Sequence, residues 1–160
     1  MVLALLIAAV PSPQTHSFKV TAVVSYRCYA GTAEQKARDS RTGVVCDSKT
    51  YQKTLLDKSV PITIRYEPNP DDDQELVGDW KDEQEFKGRK FSVSITLFKE
   101  PKGGFRMRLS ASDGEPLTRA TEVFVNFSDP KALNAFSLVT DSRGQPEEID
   151  YRVTVGPGGG

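Results

Sequence analysis

Alternation of apolar and polar residues is the feature that most constrains the fold of this chain. Apolar residues recur at every second position, which is the period of a strand with one buried face. The alternating segments begin at Phe18, Val60, Phe91, Phe105, Val123 and Ile149. Helical periodicity hardly competes with this pattern, so the sequence predicts an all-β protein.

One turn fixes the register of the two clearest strands. Residues 100–103 (EPKG) have proline at the second position of a type I turn, and a glycine where a left-handed conformation follows. In the resulting register Leu97 faces Met107, and apolar residues meet apolar residues throughout. Phe98 faces Arg106 on the opposite side of the hairpin. A one-residue slip would turn one apolar face outward, so turn and pattern predict the same hairpin.

The length of 160 residues suits one domain. Residues 18–155 are predicted to form a single antiparallel β-sandwich of about seven to eight strands. An up-and-down β-barrel is the alternative, and short strands with long, uneven loops favour the sandwich. Asp129 followed by Pro130 is typical of a helix start and predicts one helical turn. Residues 156–160 (GPGGG) are predicted to be a flexible tail.

The N-terminal residues indicate export. Residues 2–10 (VLALLIAAV) form an apolar run that is too short to span a bilayer, which needs about 20 residues. The run is typical of a signal-peptide core, although no Lys or Arg precedes it. Residues 1–17 are therefore predicted to be a signal peptide or disordered leader, with a buried N-terminal strand as the alternative. We expect a secreted or periplasmic protein without a transmembrane segment.

The two cysteines, Cys28 and Cys46, agree with export. Two thiols and one distant histidine are too few for a typical zinc site, so a disulfide is the simpler interpretation. Closing a loop of about 18 residues would stabilise the fold by roughly 3 kcal/mol in the chain-entropy model.

Catalytic groups are scarce. The only histidine is His16, which falls in the predicted leader, and neither cysteine is expected to be free. Nucleophilic catalysis needs a base beside its serine or cysteine, and the G-x-S-x-G nucleophile motif does not occur. The sequence therefore predicts a protein that is not an enzyme and needs no cofactor, unless it binds Ca²⁺.

An acidic segment is the one chemically suggestive stretch. Residues 67–85 contain nine acidic residues and one basic residue, so this segment carries −8 and the rest of the chain +7. A solvated loop over residues 69–82 is the simplest interpretation. A Ca²⁺ site is the alternative, because Ca²⁺ takes six to eight oxygen ligands. Its candidate ligands are Asp71, Asp73, Glu75 and Asp79. The EF-hand pattern fails, since Leu76 stands where that loop requires glycine.

Three residues are candidates for binding a macromolecular partner. Trp80 could anchor a partner or close the open end of the β core. Phe98 and Arg106 could stack as a cation–π pair or mark a second packed layer. The formal net charge of −1 gives no reason to expect nucleic-acid binding. We therefore expect a non-enzymatic module that binds another protein or an envelope component, with a Ca²⁺-dependent binding domain as the alternative.

Overall fold

The computed structural model describes residues 12–29, 48–69, 72–114, 120–144 and 147–159, which contain eight strands and one 3-10 turn. The strands are β1 Gln14–Cys28, β2 Thr50–Asn69, β3 Asp72–Phe86, β4 Arg89–Lys99, β5 Phe105–Ser112, β6 Thr121–Phe127, β7 Phe136–Gly144 and β8 Glu147–Pro157. The 3-10 turn Pro130–Ala132 confirms the predicted helical turn, and the Asp129 carboxylate accepts a hydrogen bond from the Lys131 backbone N–H at 2.7 Å. Within these ranges, no helix has the length and hydropathy to cross a membrane.

All eight strands join one antiparallel sheet, which confirms the all-β class. Their order is β6-β5-β4-β3-β2-β1-β8-β7, an up-and-down order in which β6 and β7 form the two ends. The sheet curls until β7 contacts β5 and β6, so it is nearly closed and barrel-like. This is the barrel alternative rather than two packed sheets. The sandwich assumes short strands, whereas β1, β2 and β3 contain 15, 20 and 15 residues and can bend around the core.

Side chains fill the interior of the barrel. The even-numbered residues of β1 from Phe18 to Cys28 are at most 1% exposed. Strands β4, β5 and β8 supply further core residues, which are Phe91, Val93, Ile95, Leu97, Phe105, Met107, Leu109, Ala111, Ile149, Tyr151, Val153 and Val155. Full burial of each large apolar side chain is worth roughly 1.5–3 kcal/mol. In the part of the chain that the structure describes, a partner would therefore bind to the outer surface or to an end of the barrel.

Strand β2 belongs to both halves of the sheet. It pairs with β1 over residues 50–64 and with β3 over residues 65–69. In the described register, the later residues of β3, from Gly78 onward, pair with β4 alone. Strands β2 and β3 remain in close contact at the point where their pairing ends. A Cβ atom added to Gly78 would lie 2.7 Å from the Thr63 carbonyl oxygen and 2.8 Å from Ile62 Cγ2. Only glycine fits at this crossing.

The β4–β5 hairpin has the predicted turn and register. The Glu100 N–H donates to the Gly104 carbonyl at 3.2 Å, and the Gly103 N–H donates to the Glu100 carbonyl at 3.0 Å. Leu97 lies opposite Met107, as expected. Gly103 and Gly104 have φ values of 92° and 88°, which side chains rarely adopt.

The acidic segment is a strand, and this corrects its prediction as a loop. Most of the predicted loop, residues 69–82, lies in β3 and in the end of β2. The sheet accommodates the charges because alternate residues face outward, and Asp79, Lys81 and Glu83 are exposed. At the N-terminus, β1 begins at Gln14, inside the segment predicted to be a leader.

Candidate functional site

The outer face of β4 and β5 brings the predicted residues Phe98 and Arg106 together. They lie opposite each other in the register, and Arg106 Cζ lies 4.9 Å from the centroid of the Phe98 ring. Arg106 Nε also contacts Glu100 Oε1 at 3.2 Å. The structure therefore has the cation–π contact that the hairpin register suggests. Contacts of this kind at exposed sites are worth about 0.5–1 kcal/mol.

Phe124 of β6 adds a second ring to the same face. It is 56% exposed and lies opposite Arg108 of β5. Arg108 Nη2 donates to Thr96 Oγ1 at 3.1 Å, which holds this guanidinium against the sheet. We call the residues Phe98, Arg106, Arg108 and Phe124 the Phe–Arg patch.

A surface cavity adjoins the Phe–Arg patch at the point where β2 and β3 separate. Its volume is about 280 Å³, and it is lined by Pro61, Thr63, Arg65, Val77, Gly78 and Asp79. In the β3–β4 register, Val77 lies opposite Phe98 and Asp79 lies opposite Thr96. The patch is therefore bordered by a recess that carries one arginine and one carboxylate.

All four side chains of the Phe–Arg patch are aromatic or arginine side chains. Aromatic and arginine side chains are enriched in protein interfaces and dominate their hot spots. Neither type supplies a nucleophile or a base near neutral pH. The backbone of all four residues is fixed by pairing within the sheet.

Trp80 lies on the opposite face of β3 from the patch. It pairs with the buried residue Ile95 and packs, half-buried, against the core. Lys58 Nζ lies 5.4 Å from the centroid of its ring. This environment matches the alternative in which Trp80 closes the β core, and the structure does not bring Trp80 together with Phe98 and Arg106.

Lys58 also pairs with a carboxylate beside Trp80. Lys58 Nζ donates to Asp82 Oδ2 at 2.5 Å, and Gln84 Nε2 donates to Asp82 Oδ1 at 2.7 Å. Burial of Asp82 raises its pKa, but the hydrogen bonds from Lys58 and Gln84 outweigh burial and hold the pKa below its ordinary value. Burial, and then the negative charge of Asp82, raise the pKa of the Tyr151 hydroxyl. Lys58 and Asp82 therefore form an ion pair that joins β2 to β3.

Most of the predicted calcium ligands lie outside the described part of the structure. Asp71 lies outside the described residues, as do the side chains of Asp73 and Glu75. Asp79 is exposed on the outer face of β3 and lines the cavity beside the Phe–Arg patch. In the described part of the chain, no three His, Cys, Asp or Glu side chains converge as metal ligands. The calcium site stays a prediction.

The cysteine prediction also stays open, with one supporting contact. Cys28 ends β1 and is 1% exposed, whereas Cys46 lies outside the described residues. The Ser48 N–H donates to the Cys28 carbonyl at 2.9 Å. Ser48 follows Cys46 by two residues in the sequence, so the chain returns to Cys28 soon after Cys46.

His16 lies within β1 and faces a cavity at one end of the barrel. Its ring meets Phe105 edge-on with the centroids 5.0 Å apart. The cavity has a volume of about 450 Å³, and its lining is Thr15, His16, Ser17, Pro130, Lys131, Pro157, Gly158 and Gly159. Burial and then the positive charge of Lys99 lower the pKa of His16, against the opposing effect of Asp129. Its Nε2 atom has no hydrogen-bond partner among the described residues.

Two residues of these candidate sites are not predicted from the sequence. Phe124 could have been predicted from the alternation in β6. Val123 and Val125 face the core, so the residue between them must face outward. His16 is missed because the apolar run before it predicts a leader over residues 1–17, whereas β1 begins at Gln14.

Comparison with known proteins adds no family to these observations. No family model, no curated protein and no solved structure matches this chain.

Proposed function

We propose that this protein is a non-enzymatic, secreted or periplasmic β-domain that binds another protein through the Phe–Arg patch. The observation that carries the proposal is the 56% exposed ring of Phe124, which lies opposite Arg108 on the sheet face that also holds Arg106. Covering an exposed aromatic ring removes apolar surface from water, which contributes a favourable free energy of about 25 cal/mol per Å² buried. Guanidinium groups next to the ring supply directed hydrogen bonds at its rim.

Two further observations support the proposal. Side chains fill the described interior of the barrel, so its outer surface and its ends remain as contact areas. The apolar run of residues 2–10 and the two cysteines favour an oxidising compartment.

The test compares two exposed apolar residues on different strands. Phe124 and Val139 are 56% and 42% exposed, on β6 and β7. The immobilised wild-type protein, Phe124→Ser and Val139→Ser are each incubated with envelope and secreted fractions of the source organism. We expect a specific set of proteins to be retained by wild type and by Val139→Ser, and to be lost with Phe124→Ser.

Circular dichroism and thermal melting of each variant provide the control for folding. Retention of the same proteins by Phe124→Ser would contradict the proposal. Equal loss with both variants would also contradict it, because binding would then depend on exposed apolar surface in general and not on the Phe–Arg patch.

A further inference from the structure

The cavity beside His16 lies between the first residues of β1, the 3-10 turn and the end of β8. Its volume of about 450 Å³ falls in the range of roughly 300–1,000 Å³ that is usual for small-molecule sites. Backbone pairing holds two of its walls together. The Gly158 N–H donates to the Ser17 carbonyl at 3.0 Å, and Phe18 lies opposite Pro157 in the β1–β8 register.

His16 supplies a hydrogen-bond donor at the wall of this cavity. Its Nε2 atom is buried and has no hydrogen-bond partner among the described residues. A neutral imidazole carries its proton on one nitrogen, and a buried N–H without an acceptor is rarely tolerated. Nδ1 is not a buried, unpaired atom of this kind, so we assign the proton to Nδ1. This tautomer leaves a donor for an acceptor that enters the cavity.

Lysine side chains make this end of the barrel positive. Lys131 lines the cavity, and Lys99 acts on His16 through its charge. Neither ammonium group forms an ion pair with a carboxylate among the described residues, and Lys99 Nζ lies 4.2 Å from the centroid of the Phe105 ring. Asp129 is the opposing charge, and its carboxylate already accepts the Lys131 backbone N–H. Two cations against one carboxylate favour an anionic ligand.

Two proline rings give the same cavity apolar lining. Pro130 is buried at the start of the 3-10 turn, and Pro157 ends β8. Small-molecule sites combine apolar lining with a few polar groups that fix the orientation of the ligand. His16 and Lys131 are the donors placed to do so here. The lining therefore suits a molecule that joins a carboxylate to an apolar body.

We infer that this cavity binds a small organic carboxylate, whose oxygens accept hydrogen bonds from His16 Nδ1–H and from the Lys131 ammonium group. The apolar part of the molecule lies against Pro130 and Pro157. The inference is independent of the proposed function, because the cavity shares no residue with the Phe–Arg patch. Two charge-assisted or neutral hydrogen bonds and two ring contacts are few, so we expect dissociation constants of roughly millimolar.

Sodium benzoate is the probe, because it joins a carboxylate to an apolar ring. Benzyl alcohol has the same ring without a charge, and sodium chloride at equal concentration controls for ionic strength. Each is titrated into isotope-labelled protein, and the backbone N–H signals are followed by NMR. We expect saturable shifts of Lys131, Gly158 and Gly159 with benzoate, and no saturable shift with benzyl alcohol or sodium chloride.

Lys131→Ala and Lys90→Ala form a matched pair of variants. Lys90 is also exposed, but it lies near the start of β4, whereas Lys99, close to His16, ends that strand. Loss of the Lys131 ammonium group should weaken benzoate binding roughly fivefold, because an exposed ion pair is lost. Lys90→Ala should leave the dissociation constant unchanged. Thermal melting shows that each variant is folded.

The imidazole of His16 gives a second readout, since the sequence contains one histidine. A carboxylate bound beside the ring favours the imidazolium, so benzoate should raise the pKa of His16. Lys99, Lys131 and Asp129 are the charged groups around His16 among the described residues, and they are present with and without benzoate. Their charges therefore do not account for a rise that benzoate produces and sodium chloride does not.

Three results would overturn the carboxylate site. These are the absence of a saturable shift with benzoate, equal binding of benzyl alcohol and benzoate, or a loss of binding in Lys90→Ala as large as that in Lys131→Ala. Failure of this site is distinguishable from failure of the proposed function, because Lys131 is not in the Phe–Arg patch. Capture of other proteins by Lys131→Ala should therefore match that of wild type.

Discussion

At the residue scale, the environment of His16 should make the stability of the fold depend on pH. Its ring packs against Phe105 while it lines the cavity at the barrel end. Burial and the charge of Lys99 disfavour the imidazolium, and Asp129 compensates only in part. The folded protein therefore binds a proton at His16 less readily than the unfolded chain does.

We expect this difference to make stability depend on pH. The contribution of His16 is complete above its ordinary pKa of 6.5 and is lost as the pH falls from there toward the lower folded pKa. Urea unfolding at about pH 8 and about pH 5 measures the change in the free energy of unfolding. His16→Phe keeps a ring against Phe105 and should reduce the pH dependence. An unchanged slope in that variant would contradict the assignment.

The sequence predicts side-chain contacts well when both residues lie in one hairpin, because the turn fixes which residues are opposite each other. Phe98 and Arg106 are such a pair, because the hairpin register follows from its glycines and proline. Asp82 shows what cannot be predicted. Its partner Lys58 lies on β2, and nothing local indicates that β2 and β3 come together there. An inward carboxylate therefore looks like part of a solvated loop until its partner is known.

At the element scale, the β4–β5 turn contains two glycines with similar backbone angles and different surroundings. Gly103 and Gly104 have φ values of 92° and 88°. A Cβ atom on Gly104 would lie 3.0 Å from the Phe127 carbonyl oxygen, whereas one on Gly103 would contact nothing within 4 Å. Of these two glycines, Gly104 lies against the end of β6 and Gly103 does not.

Alanine at each glycine separates the two effects. Both substitutions incur the cost of a positive φ, roughly 1–2 kcal/mol. Gly104→Ala additionally forces its Cβ against the Phe127 carbonyl, so we expect it to lower the free energy of unfolding more than Gly103→Ala does. Chemical denaturation of the two variants measures the difference. Equal losses would show that β6 moves freely away from the turn.

The strands differ in how well the sequence predicts them. Strands β1, β4, β5 and β8 alternate apolar with polar residues and are predicted correctly. Strand β3 is not, because its inward positions include Gly78, Trp80, Asp82 and Gln84. This strand borders the separation from β2, where its inward residue Asp82 pairs with Lys58 of β2 instead of meeting an apolar core.

At the scale of the whole molecule, the predicted disulfide would tie the end of β1 to the chain that leads into β2. Loss of a crosslink that closes about 18 residues should cost roughly 3 kcal/mol. We expect Cys28→Ser/Cys46→Ser to unfold at lower urea concentration than oxidised wild type. Reductant should lower the stability of wild type and leave the double variant unchanged. A wild-type protein that is insensitive to reductant and reacts with iodoacetamide when unfolded would contradict the disulfide.

The sequence pattern of this chain does not predict that the sheet closes into a barrel. Alternation shows which face of each strand is buried, and both a sandwich and a barrel satisfy it. The difference depends on how far long strands such as β2 bend, and on where two neighbours stop pairing. These properties arise from contacts across the core, such as the approach of Gly78 to Thr63.

The pairing of β1 with β8 has a consequence for a molecule held under tension. Phe18 lies opposite Pro157, and the Gly158 N–H donates to the Ser17 carbonyl at 3.0 Å. Pulling on residues 12 and 159 would load this ladder from one end, so its bonds would break singly, as in a zip. Pulling along the strands would instead shear many bonds together. The mechanical strength of the barrel therefore depends on its points of attachment, whatever its resistance to urea.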